Sequence, residues 1–240
     1  MKKTITILTL LIGASSLTIA QTADEIINKN IAAMGGLDKL NSIKTIYQED
    51  SINGSGIKIP VKLWKVDKKS QRVEFTLMGM TGYQIQRTDS GWAFAPFQGQ
   101  TKPEPMTADE IKKGKDDLYI TDAFVNYKER GYKVSYEGKD DAEGSEGYKI
   151  KVTISDSMSK TYYIDPDTYY VMQVKDKVTE NGKVEEATEI RSNYKKTSDG
   201  YIFPMEMSNS GMGDLKTYVL KVNAPIDDKI FSPSVKIAGK

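Results

Sequence analysis

The sequence predicts a mainly β protein with a few helices, in which a curled antiparallel sheet leaves a concave apolar face under a helical lid. From Ile43 onwards, apolar and polar side chains alternate with the period of two that is typical of half-buried strands. Turn signals separate these segments, and connections this short join antiparallel neighbours. Several strands instead carry large apolar groups on both faces, which indicates a second covered face or a cavity.

Residues 1–20 have the features of a cleavable secretory signal peptide. Lys2 and Lys3 precede an apolar run, and Thr18 and Ala20 supply the small residues that signal peptidase requires before Gln21. The run is shorter than the roughly 20 residues that span a bilayer, which argues against a membrane anchor. The chain has no cysteine to carry an acyl anchor. We therefore expect residues 21–240 to form a single soluble domain in the periplasm.

The mature chain is expected to begin with an amphipathic helix. The sequence Thr-Ala-Asp-Glu at 22–25 is a capping box. Apolar residues follow at helical spacing, at Ile27, Ile31 and Met34. The glycines at 35–36 supply a left-handed end, and a further helical turn is expected over 37–40.

The alternating pattern predicts about ten or eleven strands in one long antiparallel meander. Twelve segments show it, of which one or two are expected not to form strands: 43–50, 57–67, 71–78, 82–88, 91–97, 131–138, 147–155, 160–165, 168–179, 183–196, 201–208 and 214–223. One interruption lies between Phe97 and Gly131. It contains a second capping box at 107–110, which predicts a short helix from Ile111, and residues 116–130 are also predicted to be helical.

Three strand segments, at 92–97, 162–164 and 169–172, place aromatic or large apolar residues on both faces. A sheet with one packed face and one wet face does not require this pattern. A long meander with helices before and within it can curl, so that the helices cover a concave apolar face.

The composition excludes most familiar enzyme classes. The chain has neither cysteine nor histidine, which removes thiol nucleophiles, zinc–thiolate sites and the commonest general base near neutral pH. Removing two lysines with the leader changes 34 basic and 33 acidic residues to 32 and 33, a net charge of −1. This balance argues against a nucleic-acid partner.

Four polar or glycine-containing motifs have residues that could form a ligand, metal or catalytic site. The Asp-Pro-Asp-Thr sequence at 165–168 is interpreted as a β-turn, and the acidic segment 139–147 as a hairpin tip in preference to a calcium loop. The segment 78–82, with Met78 and Met80, fits either an adaptable apolar rim or packing filler. The segment 210–213 is equally open to both interpretations.

Several short motifs resemble those of the outer-membrane lipoprotein carrier (LolA/LolB-like) family. The motifs are Leu63-Trp64, Thr88-Asp-Ser-Gly-Trp92 leading to Phe94, Pro96 and Phe97, Tyr163-Ile-Asp-Pro-Asp167, Asp228-Lys-Ile-Phe-Ser-Pro233 and Ala32-Ala-Met-Gly-Gly36 with Leu40 and Ile43. The resemblance implies an unclosed β-barrel with a helical lid over a cavity for acyl chains. Where that family has an arginine that locks the lid, this sequence has Asp67. Arg72, Arg87 and Lys68 are the candidate substitutes.

The sequence therefore predicts a non-enzymatic periplasmic carrier, active in outer-membrane lipoprotein sorting, transport and chaperoning, with no cofactor and no metal. Its expected ligand is an acyl lipid or lipoprotein, and the resemblance implies inner- and outer-membrane lipoprotein-handling proteins as partners. We expect a monomer that is not membrane-integral. The predicted cavity wall is Trp64, Phe75, Leu77, Met78, Met80, Tyr83, Trp92, Phe94 and Phe97. The predicted lid is Ile27, Ile31, Leu118 and Phe124.

Three alternatives stay open at this point. An envelope sensor or protein-interaction module on the same fold would show an exposed apolar patch. An enzyme that uses carboxylates alone, such as a glycosidase, would need two acids facing each other across a cleft at roughly 5–9 Å. A structural β-sandwich would have its inner face filled by side chains.

Overall fold

A computed structural model describes residues 22–54, 56–180, 182–209 and 213–233. The predicted signal peptide and the segment 210–212 lie outside the described residues. The helices are α1 (Ala23–Ala33), α2 (Leu37–Asn41) and α3 (Ala108–Lys113). The strands are β1 (Thr45–Gly54), β2 (Ile57–Val66), β3 (Ser70–Leu77), β4 (Met80–Arg87), β5 (Gly91–Phe94), β6 (Glu104–Pro105), β7 (Lys133–Ala142), β8 (Ser145–Ser155), β9 (Met158–Ile164), β10 (Val171–Glu180), β11 (Lys183–Lys196), β12 (Ile202–Asn209) and β13 (Gly213–Val222).

The strands form one antiparallel sheet in the order β6-β5-β4-β3-β2-β1-β13-β12-β11-β10-β9-β8-β7. The predicted antiparallel pairing is confirmed, and so is a sheet that is not closed into a barrel. Strands β1 to β6 and β7 to β13 each follow the predicted meander, but the two runs do not adjoin at the predicted interruption, because β7 starts at the edge opposite to β6 and the chain then returns to the centre. There β13 pairs with β1, with Val222 opposite Ile46 and Asp214 opposite Asn53.

The first helix forms as the sequence predicts. Thr22 and Glu25 make the reciprocal capping-box hydrogen bonds. At the other end, the Gly36 amide donates to the Ile31 carbonyl and the Gly35 amide to the Ala32 carbonyl, which is a Schellman ending. Both glycines have positive φ, so each adopts the left-handed backbone that a Cβ would disfavour.

Two apolar clusters lie on opposite faces of the sheet. The larger one packs α1, α2 and residues 123–125 against β8, β9 and β10. The smaller one contains Tyr83, Ile85 and Phe94 under Phe231. Because successive side chains of a strand point to opposite faces, Trp64 packs against the smaller cluster while its neighbour Leu63 faces the larger one.

Residues 106–132, which we call the covering segment, connect β6 to β7. The predicted helix after the capping box is confirmed as α3, with the reciprocal bonds between Thr107 and Glu110. The helix predicted over 116–130 is wrong, since only a 3-10 turn at Asp116–Leu118 forms and turns follow it. Backbone groups in this segment bond to the sheet instead, which competes with helical hydrogen bonds.

Both polar turns are confirmed. Asp165 Oδ1 accepts hydrogen bonds from the amides of Asp167 and Thr168 at 3.0 and 2.6 Å. Burial would raise the pKa of the Asp165 carboxyl, but these bonds outweigh it and lower the pKa. The acidic segment 139–147 forms the β7–β8 hairpin, which turns at Glu143 and Gly144 with positive φ.

The residues that follow β13 cover the smaller cluster. A 3-10 turn at Asp228–Phe231 buries Phe231. Arg72 donates from Nη1 to the Ile230 carbonyl at 3.0 Å, and Arg87 pairs with Asp228 at 3.5 Å. These two arginines therefore hold the C-terminal turn, and within the described residues neither makes a hydrogen bond or ion pair with the covering segment. Within the described residues, no helix is both long enough and apolar enough to cross a membrane.

A buried carboxylate in β1 makes stability depend on pH. Burial raises the pKa of Asp50 to about 6, and its Oδ1 has no hydrogen-bond partner in the described residues. The folded pKa thus lies above the unfolded value of about 3.9, so this stabilising contribution is complete below about pH 4 and is lost as the pH rises through 6. We expect Asp50→Asn to raise the free energy of unfolding at pH 7.5 by about 2 kcal/mol and to remove this pH dependence.

Urea unfolding at about pH 4.5 and 7.5 measures the effect. Asp156→Asn is the matched control, because Asp156 is exposed in the β8–β9 turn. An unchanged difference between the two pH values in Asp50→Asn would contradict the assignment.

Candidate functional site: a cavity beneath the covering segment

A cavity of about 180 Å³ lies between the sheet and the elements that cover it. Its sheet side includes Ile46 of β1, Leu63 of β2 and Met207 of β12. Its other side includes Met34 at the end of α1 and Ile120 and Val125 of the covering segment. The lining is predominantly apolar, which is the usual character of pockets that bind apolar ligands.

This cavity is small in the conformation described. Pockets for drug-sized ligands have volumes of roughly 300–1,000 Å³, whereas an apolar cavity of about 150 Å³ takes a molecule the size of benzene. One acyl chain of about fourteen carbons therefore does not fit completely until the cover moves.

Polar bonds attach the covering segment to the sheet on the β2 side. The Ile120 amide donates to Asp67 Oδ1 at 3.0 Å, and the Lys68 amide donates to the Leu118 carbonyl at 2.9 Å. Asp67 therefore holds the cover by accepting a bond. Of the three candidate substitutes, Lys68 bonds to the cover through its backbone amide.

Further bonds attach the segment at β9 and β11. The Ala123 amide donates to the buried Tyr162 hydroxyl at 2.9 Å. Arg191 Nη1 pairs with Asp122 at 2.8 Å, and Arg191 Nε pairs with Glu189 at 2.6 Å. Burial would lower the pKa of the Arg191 guanidinium, but these two carboxylates outweigh it and raise the pKa.

A second, polar cavity of about 380 Å³ adjoins the apolar one. We call it the polar trough. Its lining includes Lys160, which lies 3.3 Å from Asp176, 3.6 Å from Asp117 and 3.8 Å from Asp116. Burial would lower the pKa of the Lys160 ammonium, but the three carboxylates outweigh it and raise the pKa.

None of the nine predicted wall residues lines the apolar cavity. Trp64, Tyr83, Trp92 and Phe94 belong to or pack on the smaller cluster, on the opposite face of the sheet. The remaining five lie in or beside the β3–β4 hairpin and are Phe75, Leu77, Met78, Met80 and Phe97. Phe75 and Phe97 pack edge to face, and Met78 is 82% exposed. Their contact with a ligand stays a prediction.

The four predicted lid residues lie on the covering side. Ile27 and Phe124 are buried in the larger cluster, and Ile31 packs against it. Leu118 is buried in the 3-10 turn of the covering segment. Whether these side chains contact a ligand is a prediction that the structure leaves untested.

Sequence reasoning missed Lys65, Arg191 and Asp122, which line both cavities. A signal for Lys65 was present in β2. The odd-numbered positions 57, 59, 61 and 63 are all apolar, and Lys65 is the charged residue that ends this series on the covered face. Arg191 and Asp122 come from distant segments, and no local pattern brings them together.

No family model matches the sequence, and no curated protein matches it. Solved structures do match. A putative outer membrane lipoprotein-sorting protein domain from Vibrio parahaemolyticus is similar, with a TM-score of 0.53, 16% identity and coverage of 86% of this chain and 94% of that chain. A LolA superfamily protein from Nitrosomonas europaea has a TM-score of 0.54 and 13% identity, over 89% of this chain and 98% of that one.

The fold is LolA-like. A DUF1329 family protein from Desulfovibrio piger ATCC 29098 is also similar, with a TM-score of 0.55, 13% identity and coverage of 86% of this chain and 97% of that chain. The resemblance noted in the sequence is thus confirmed for the fold. At this level of identity the likeness concerns architecture and does not assign a function to this LolA-like chain.

The bond between Asp67 and Ile120 gives a test of how the cover is held. Asp67→Ala removes the acceptor, and we expect the amides of residues 118–123 to exchange hydrogen about tenfold faster, since an opening equilibrium changes tenfold for each 1.4 kcal/mol. Residue-resolved hydrogen exchange by NMR measures this.

Asp228→Ala is the matched control, because Asp228 holds the C-terminal turn on the opposite face. It should accelerate exchange near Phe231 and leave the covering segment unchanged. Equal exchange of residues 118–123 in wild type and Asp67→Ala would show that Asp67 does not hold the cover.

Proposed function

We propose that this protein is a periplasmic carrier or binder of lipoproteins or other acylated lipids, and that it holds acyl chains in the apolar cavity. The single observation that supports this most is the cavity itself, which lies between the sheet and a cover attached by polar bonds. The LolA-like fold and the predicted signal peptide are consistent with the proposal. Carriage of this kind requires neither a cofactor nor a titrating nucleophile.

The energetics of acyl binding are sufficient. Each buried methylene contributes about 0.8 kcal/mol, so one chain of about fourteen carbons gains on the order of 10 kcal/mol before ordering costs. Moving the cover breaks bonds that water can replace, and a typical hydrogen bond contributes only about 0.5–1.5 kcal/mol net. Opening also exposes apolar side chains of the cover such as Phe124, and the acyl chain that enters supplies apolar contacts in their place.

Filling the cavity tests the proposal. Leu63→Trp places an indole in the space that the acyl chain would occupy, and we expect it to weaken binding of a fluorescent fatty-acid probe at least about tenfold, which corresponds to 1.4 kcal/mol. Lys62→Trp is the matched control, since Lys62 is exposed on the other face of the same strand. Circular dichroism melting confirms that both variants fold.

Native mass spectrometry of the gently purified protein adds an independent measurement, and we expect acyl lipid mass on the chain. A wild-type protein that carries no such mass and ignores the probe would exclude the proposal.

A protein-interaction module is the second candidate. It is favoured by exposed apolar residues at two hairpin turns, with Ile57 51% exposed next to the β1–β2 turn and Met78 and Met80 at the β3–β4 turn. Both turns lie at the same end of the sheet because β1 and β3 run in the same direction. This candidate requires no acyl binding, so the same probe titration separates the two.

A further inference from the structure

One lysine stands at the junction between the apolar cavity and the polar trough. Lys65 lines both of them. It is the second-last residue of β2 and lies opposite Ile46 of β1 and Gln71 of β3, so a paired strand flanks it on each side. A lysine at such a place adds a charge to a face that is otherwise apolar along β2, which costs free energy unless a partner compensates it.

Within the described residues, Lys65 has no such partner. No carboxylate lies within 4.0 Å of its Nζ in the ranges that the structure describes, and it makes no side-chain hydrogen bond there. The other two cations of the trough differ. Lys160 contacts three carboxylates, and Arg191 contacts Asp122 and Glu189.

The positive charge of the Lys65 ammonium is only partly balanced by the groups around it. Burial lowers its pKa to about 8, while the more distant carboxylates of Asp117, Asp67 and Asp116 oppose this and Lys160 adds to it. The group is still mostly protonated at neutral pH. An anion beside Nζ would supply the missing partner, and a charge-assisted hydrogen bond of this kind is about twice as strong as a neutral one.

The rest of the trough limits how much negative charge can enter. Asp116, Asp117, Asp122, Asp176 and Glu189 line it together with the three cations. These acids already pair with Lys160 and Arg191, so they do not occupy Lys65, but their excess repels a doubly charged group. One negative charge can pair with the Lys65 ammonium, whereas a second charge would meet only this excess of carboxylates.

We infer that the ligand is an amphiphile whose head group carries a single negative charge, a carboxylate or a phosphodiester, and that Lys65 pairs with that head while the acyl chain enters the apolar cavity. This inference rests on the proposed function and adds the chemistry of the head group to it. It assigns Lys65 as a specificity-determining residue. It also gives the ligand an orientation, with the head in the trough.

Calorimetry with amphiphiles of one chain length tests the inference on the full mature chain. Dodecanoate, dodecanoyl-lysophosphatidylglycerol, monododecanoylglycerol and dodecyl phosphate share the apolar part and differ in the head. We expect dodecanoate or the lysophospholipid to bind at least about tenfold more tightly than the uncharged glyceride, and dodecyl phosphate to bind more weakly than the best of these. The better of the first two identifies the source of the single charge.

Lys65→Met removes the charge and keeps the length of the side chain. It should abolish the preference for the charged head while binding of monododecanoylglycerol is retained, and Lys65→Arg should keep the preference. Lys62→Met is the matched control on the opposite face of the same strand and should change nothing. In the wild type, dodecanoate affinity should fall above about pH 8 as Lys65 deprotonates, whereas Lys65→Met should show no such fall between pH 7 and 9.

The outcomes separate the two proposals. Equal affinity of the wild type for dodecanoate, the lysophospholipid and the glyceride would overturn the role of Lys65 and leave acyl binding intact. An unchanged preference in Lys65→Met would also overturn it. Failure of every amphiphile to bind would overturn the proposed function itself.

Discussion

The pairing of β1 with β13 is the constraint on which the rest of the architecture depends. It joins strands from the two ends of the described chain into one sheet. The first six strands then extend to one edge, and the remaining strands return from the other edge. The chain between β6 and β7 must therefore cross from edge to edge. The cover over the cavity is a consequence of this connectivity, and α1 and α2, which directly precede β1, are placed beside it.

Much of this arrangement follows from local pattern. Alternation marks the strands, capping boxes mark α1 and α3, and a turn motif fixes the chain at Asp165. Turn chemistry and period-two alternation act over a few residues, so one sequence suffices to detect them. The return of β7 to the far edge depends on contacts between distant strands, and no local signal carries it.

Local pattern does not determine which face of a strand lines the cavity. Alternation shows that Leu63 and Trp64 point to opposite sides, but it does not say which side the helices cover. The sequence therefore predicts the aromatic residues of β2, β4 and β5 in the cavity wall. In the structure they pack on the smaller cluster, which the C-terminal turn covers. The helix predicted over 116–130 failed for a related reason, since its amides bond to Asp67 and Tyr162 across the sheet.

The covering segment combines an apolar underside with polar attachments. Val125 faces the cavity, while Asp122 and the Ile120 amide are bonded to the sheet. Apolar contacts would make opening costly in proportion to the area exposed, but polar bonds are exchanged for bonds to water. The polar bonds thus fix the geometry of the closed form, while the buried apolar side chains supply most of the cost of opening it. Asp122 and Arg191, which attach the segment to the sheet, line both cavities together with Lys65. The polar attachments and Lys65 therefore lie in one region.

An open sheet has two edges, and both are unsuited to further pairing. Strand β6 has two residues, one of which is Pro105 and has no amide hydrogen to donate. Strand β7 carries several charged residues in its second half, from Glu137 to Asp141. It also has a register shift between Tyr136 and Lys139, where Gly138 has positive φ. Short, charged and irregular edges discourage edge-to-edge association. The sheet can thus stay open without offering a template on which further copies of the chain could stack into fibrils.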